Sequence, residues 1–64
     1  MTDDEILTEA EAAEVARESV TTFRTRRYRG IGPAYIKRGK GVLYRRSAVI
    51  EWLISLEVPS GTAA

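Results

Sequence analysis

The chain has 64 residues, a formal net charge of +1, and neither cysteine nor histidine. This length suits one small domain, and the missing residue types exclude disulfide staples and the usual zinc sites. Hydrophobic residues make up 44% and charged residues 30%, which is ordinary for a folded domain. No segment has the pattern of a membrane span or secretory signal, so we expect a cytoplasmic protein. We also expect no cofactor and no small-molecule ligand.

The small net charge hides a strong asymmetry. The first eighteen residues carry seven acids against one base, Arg17, whereas the 32 residues from Ser19 to Ile50 carry nine cations and no acid. Such a segment cannot neutralise itself by local ion pairs, so we expect a polyanion such as phosphate as its partner. The alternative is a solvated basic face. The nine cations are Arg24, Arg26, Arg27, Arg29, Lys37, Arg38, Lys40, Arg45 and Arg46.

The first predicted element is a short helix after a flexible acidic start at residues 1–5. The run Thr8-Glu9-Ala10-Glu11 is a capping box, which predicts that the helix begins at Thr8. Its small apolar residues would allow a second helix to approach closely, and we expect the helix to end near Arg17. These residues are Ala12, Ala13, Val15 and Ala16.

A second helix is predicted directly after a short turn. Ser19 is a good N-cap, and the helix would run from Val20 to Arg29 and end at Gly30, a typical left-handed terminator. Val20 and Phe23 face one way, whereas residues spaced three and four apart form a polar outer face. A helix that buries so little should serve another surface.

The remaining elements are a hairpin and a last helix. Ala34 to Lys37 and Val42 to Tyr44 read as two short strands around a cationic, glycine-rich turn, and Ser47 can cap the final helix. The folded domain is predicted to span residues 6–57, with a flexible tail at 58–64. The expected core consists of Phe23, Ile36, Leu43, Val49, Trp52 and Leu53.

Order and residues together resemble the winged helix-turn-helix domains of the MerR-like and phage excisionase type, a mostly α fold with a small β-hairpin wing. The family often has a Gly-apolar pair where this chain has Arg17 and Glu18, and an apolar residue near Arg26. A longer or looser turn is therefore expected. The fragments that carry the resemblance are Leu7-Thr8-Glu9-Ala10-Glu11-Ala12-Ala13, Ser19, Thr22-Phe23, Gly32-Pro33-Ala34-Tyr35-Ile36-Lys37, Tyr44-Arg45-Arg46-Ser47 and Trp52-Leu53.

A helix lying in the DNA major groove presents its N-terminal and outward residues to base edges. We predict base contacts from Val20, Thr21, Arg24 and Thr25. Arg24 is the main candidate because arginine can bind guanine through two hydrogen bonds; a plain phosphate contact or a solvated charge is the alternative. Predicted phosphate contacts are Ser19, Thr22, Arg26, Arg27, Tyr28, Arg29, Arg45 and Arg46, and predicted wing contacts are Lys37, Arg38 and Lys40.

The resemblance implies a phage excisionase in a bacterial host cell. Such a protein binds tandem sites side by side, bends double-stranded DNA and directs a tyrosine recombinase, the integrase, to excise the prophage. An attraction between one copy's acidic N-terminal segment and a neighbour's basic wing could aid assembly. A small phage or mobile-element transcriptional regulator is the first alternative, and a protein-interaction adaptor is the second. We expect no enzyme activity, because a tyrosine recombinase needs a histidine-containing site on a larger domain.

Overall fold

The computed structural model describes residues 4–61, so parts of both predicted flexible ends, residues 1–3 and 62–64, lie outside the described residues. The predicted fold class is confirmed: three helices and an antiparallel sheet, in an order compatible with a winged helix-turn-helix. In chain order the elements are β1 (Ile6–Thr8), α1 (Glu9–Val15), α2 (Val20–Arg29), β2 (Ile36–Arg38), β3 (Gly41–Arg45) and α3 (Arg46–Ser55).

The capping box predicted for α1 is confirmed. The Glu11 amide donates to Thr8 Oγ1 at 3.2 Å, and Glu11 Oε1 accepts from the Thr8 amide at 2.8 Å. The helix ends in a Schellman motif, because the Glu18 amide bonds the Ala13 carbonyl at 2.9 Å and the Arg17 amide bonds the Glu14 carbonyl at 3.1 Å. Arg17 adopts the left-handed conformation, with φ 61°, that this motif normally assigns to glycine.

Both predicted ends of α2 are confirmed. Ser19 Oγ accepts from the Thr22 amide at 3.1 Å, which satisfies an amide that the helix cannot pair internally. Gly30 has φ 72° and ends the helix, with its amide bonded to the Arg27 carbonyl at 3.1 Å. Four residues therefore separate α1 and α2, and the caps of both helices lie among them.

The predicted hairpin is confirmed by the antiparallel pair β2 and β3, and β1 adds a third strand that was not predicted. The sheet order is β1-β3-β2, with Leu7 opposite Tyr44 and Ile36 opposite Leu43. The predicted first strand at residues 34–37 lies at 36–38, and Gly39, with φ 56°, opens a two-residue loop to β3. Strand β1 has only three residues, so no alternating pattern signals it, and its pairing needs a partner far along the chain.

The predicted N-cap of α3, Ser47, is also wrong. The helix begins at Arg46, and Arg45 is the cap residue without a side-chain cap bond. Ser47 lies inside the first turn, where its amide and hydroxyl donate to Asp4 Oδ1 and Oδ2 at 2.9 and 2.7 Å. Because β1 pairs with β3, Asp4, just before β1, lies beside the start of α3. Its carboxylate therefore caps α3 from outside the helix. Those hydrogen bonds from Ser47 hold the pKa of the Asp4 carboxyl below its usual value.

The core is small and lies between the helices and the inner face of the sheet. Phe23 and Val49 are buried as predicted, whereas Trp52, Leu53 and Leu43 are half-buried, and Ile36 is exposed at 40% and is not a core residue. The Phe23 ring packs edge-on against Tyr44 and Trp52, with centroid separations of 5.1 and 6.0 Å. Three alanines of α1 and its C-cap are buried in the same cluster as Phe23 of α2. The core cluster consists of Leu7, Ala12, Ala13, Ala16, Phe23, Tyr44 and Val49.

Candidate nucleic-acid interface

The outer face of α2 carries three of the four residues predicted to contact bases. Thr21, Arg24, Thr25 and Tyr28 are exposed at spacings of three and four, so they share one face of the helix. The Thr25 hydroxyl donates to the Thr21 carbonyl at 3.0 Å. A shallow groove of about 270 Å³ runs beside this face and is lined by Thr21, Thr22, Thr25, Arg26, Arg29 and Ile31.

Three other predicted contacts on or beside α2 have roles inside the protein. Val20 is half-buried against the core, and only 16% of the Arg27 side chain is exposed. The Ser19 hydroxyl caps the helix and donates to Thr22 Oγ1 at 3.0 Å. Packing or capping accounts for the position of each of these side chains, and their DNA contacts stay predictions.

Glu9 forms the centre of a polar network that joins α1, α2 and β3. Its Oε2 accepts from Arg27 Nε at 2.7 Å and from the Tyr44 hydroxyl at 3.0 Å, and its Oε1 accepts from Arg24 Nε at 3.4 Å. Burial alone would raise the pKa of the Glu9 carboxyl, but the hydrogen bonds from Arg27 and Tyr44 outweigh it and place the pKa below 4.5. The pKa of the Tyr44 hydroxyl is raised, mainly by burial and secondly by its hydrogen bond to Glu9. The carboxylate is therefore ionised at neutral pH.

The chain differs from the family it resembles at Glu18 and at Arg26, and these two side chains form an ion pair. Arg26, which stands near a usual apolar position, forms hydrogen bonds of 3.0 Å through Nε and 2.7 Å through its Nη2 nitrogen to the Glu18 carboxylate. Its guanidinium also lies 5.5 Å from the centroid of the Trp52 ring. This ion pair and the Schellman motif both stabilise the turn between α1 and α2, and the expectation that it is longer or looser than in the family stays a prediction.

Two exposed tyrosines lie against the guanidinium of Arg27. The Arg27 Cζ atom is 4.7 Å from the centroid of the Tyr28 ring and 5.8 Å from that of Tyr35, and these rings are 73% and 48% exposed as residues. The contact with Tyr35 ties the segment before β2 to α2. Sequence reasoning did not select Tyr35 or Glu9 as site residues, because a stacking or ion-pair partner eight or more positions away gives no local signal.

The predicted wing is formed by β2, β3 and their loop. Lys37, Arg38 and Lys40 are all exposed around the loop that Gly39 opens, and we call these three side chains the wing cations. Arg45 bonds Asp4 through its Nη1 at 3.2 Å, and Arg46 is exposed at the start of α3. The wing cations and Arg46 have no acidic partner within residues 4–61.

The basic segment is thus partly neutralised by acids that lie outside it in the sequence. Of its nine cations, four form ion pairs with Glu9, Glu18 or Asp4: Arg24, Arg26, Arg27 and Arg45. These acids lie 8 to 41 positions away from their partners, so the ion pairs are not the local ones that the sequence of the basic segment excludes. Within residues 4–61, the other five cations of the basic segment have no acidic partner: Arg29, Lys37, Arg38, Lys40 and Arg46.

Residues 4–61 contain no group of three acidic side chains placed to hold a metal ion. None of the helices described there is long and apolar enough to cross a membrane.

The comparison with known families agrees with this geometry. No curated protein and no solved structure matches the chain significantly. The family model of a helix-turn-helix domain matches residues 6–56, a range that contains every described helix and strand from end to end. The match suggests binding to double-stranded DNA and covers both capped helices, the wing and α3. The chain belongs to this helix-turn-helix domain family.

Proposed function

We propose that the protein is an excisionase, a non-catalytic DNA-bending protein that binds tandem sites cooperatively and directs an integrase to excise a prophage. The observation that carries DNA binding is the exposed outer face of α2, where hydroxyl groups and Arg24 stand together on a helix capped at both ends. Such a face suits base edges in the major groove. The excisionase role rests on the resemblance of the chain to that class.

The charge distribution supports different roles for the two parts of the proposed interface: unpaired cations for phosphates and the outer face of α2 for bases. The wing cations, Arg29 and Arg46 have no acidic partner within residues 4–61, so they are available for phosphates without breaking an ion pair. Five phosphate contacts would give a slope of log K against log salt of about −4.5. The outer face of α2 carries one arginine, two threonines and one tyrosine, which allow only a few base contacts.

Few base contacts per copy favour several copies side by side. A single small module buries a modest interface and discriminates few base pairs, whereas adjacent copies add their contacts on tandem sites. We therefore expect cooperative filling of regularly spaced sites.

The test is a titration of DNA from the attachment region at two salt concentrations, with footprinting, for the wild type and Arg24→Ala. Arg17→Ala is a matched control, since it removes one exposed positive charge outside the basic segment. We expect regularly spaced protected sites that Arg24→Ala loses and Arg17→Ala retains. An excision reaction with the integrase of that attachment region should then depend on the protein.

Other outcomes would assign a different function. A single protected site that overlaps a promoter would favour the small transcriptional regulator. Absence of any salt-sensitive DNA binding would refute both readings and favour the interaction adaptor, whose binding should survive high salt and Arg24→Ala.

A further inference from the structure

The three partners of the Glu9 carboxylate differ strongly in how they are held. Tyr44 is 1% exposed as a residue, and the Arg27 side chain is 16% exposed and lies against two tyrosine rings. The Arg24 side chain is 46% exposed, and its bond to Glu9, at 3.4 Å, is longer than those from Tyr44 Oη and Arg27 Nε. Arg24 is therefore the one partner that can leave without unpacking the core.

Departure of Arg24 would leave Glu9 well satisfied. Arg27 and Tyr44 would still donate to Oε2, and the second Arg27 nitrogen would still lie 3.4 Å from Oε1. The cost is then the loss of one exposed ion pair, which is small. Within residues 4–61, the guanidinium of Arg24 uses only its Nε atom in a hydrogen bond, so neither of its Nη atoms has to leave a partner there.

We propose that Glu9 competes with DNA for Arg24, so that binding exchanges the Glu9 carboxylate for a DNA acceptor while Arg27 and Tyr44 keep Glu9 in place. This inference rests on the proposed DNA-binding function and adds a residue that lowers the affinity of each copy. Glu9 touches no DNA in this scheme. It acts through Arg24 alone.

The direct test is made on the wild-type protein, with NMR of the Nε–H groups of Arg24 and Arg27, both of which donate to Glu9. The titrant is the DNA duplex that shows protection in footprinting. We expect the Arg24 signal to shift on binding and the Arg27 signal to stay in place. Binding with an unmoved Arg24 signal, or with both signals shifting together, would overturn the competition.

A variant cycle gives an independent measurement. Glu9→Gln keeps an oxygen acceptor for Tyr44 but removes the charge, and we expect it to tighten binding about two- to fivefold, the range of one exposed ion pair. Glu14→Gln is the matched control, because it removes one exposed charge from the same helix. In an Arg24→Ala background, at a salt concentration low enough for its residual binding to be measured, Glu9→Gln should change affinity no more than Glu14→Gln does.

The outcomes of these two experiments distinguish failure of the competition from failure of the proposed DNA-binding function. Weaker binding of Glu9→Gln, with circular dichroism showing the wild-type fold, would mean that Glu9 positions Arg24 rather than competing for it, and would refute the proposal. If Glu9→Gln does not fold, the NMR measurement on the wild type decides. Failure of the wild type to bind DNA would refute the proposed function and this inference together, whereas binding with Arg24 still on Glu9 would refute the inference alone.

Discussion

Removal of one buried hydroxyl should measure how much the Glu9 network stabilises the fold. Tyr44→Phe deletes the donor that lies 3.0 Å from Glu9 Oε2 while keeping the ring that packs against Phe23. A hydrogen bond to a charged group contributes about 1.5–3 kcal/mol. Since Arg27 still donates to the same oxygen, we expect the lower end, about 1.5 kcal/mol, or a fall in Tm of about 6–12 °C for a domain of this size.

The assay is urea and thermal unfolding followed by circular dichroism at neutral and acidic pH. The pKa of Glu9 is lower in the folded protein than its ordinary 4.5, so its stabilising contribution is fully present above pH 4.5 and is lost as pH falls through the folded pKa. The difference between wild type and Tyr44→Phe should shrink over the same range, because a protonated Glu9 is a weaker acceptor.

The matched control is Tyr35→Phe, which removes a hydroxyl from a residue that is 48% exposed and should leave stability nearly unchanged. Equal stability of Tyr44→Phe and wild type at neutral pH would refute the assigned contribution of the bond. A difference that stays constant at acidic pH would show that the ionised Glu9 carboxylate is not what the hydroxyl stabilises.

Three further changes test other parts of the structure. Arg17→Gly should raise stability by about 0.5–1 kcal/mol, because relief of the left-handed strain exceeds the entropy cost of glycine; a lower urea midpoint would contradict this. Asp4→Ala should speed hydrogen exchange at the Ser47 amide, and unchanged protection would show that the cap is dispensable. Replacement of all three wing cations by alanine should make the salt slope of DNA binding less negative by about 2.7, whereas an unchanged slope would exclude them as phosphate contacts.

The comparison of Ser19 with Ser47 shows what limits prediction of the elements. Both serines precede apolar residues and both suit an N-cap, but only Ser19 takes that position. The difference arises because β1 pairs with β3 and presents Asp4 to the first turn of α3. A cap that comes from the same few residues can be read from sequence, whereas one delivered by another strand cannot.

The basic segment shows the same limit for the candidate site. Its charge, the polar outer face of α2 and the cationic wing follow from composition and from the period of the helix, so the sequence identified the surface. It could not show that Arg26 bonds Glu18 or that Arg24 and Arg27 share Glu9. Those pairs decide which cations are left for a polyanion.

By itself, then, the sequence determined the features that depend on neighbours along the chain: the capping box at Thr8, the cap at Ser19, the terminator Gly30 and the positive sign of residues 19–50. Only the tertiary structure decided the third strand, the cap of α3 and the pairing of four arginines with three acids. The physical reason is the separation along the chain between the interacting groups. Caps and turns use hydrogen bonds within a few residues, whereas ion pairs and strand pairing depend on which distant segments the packed core brings together.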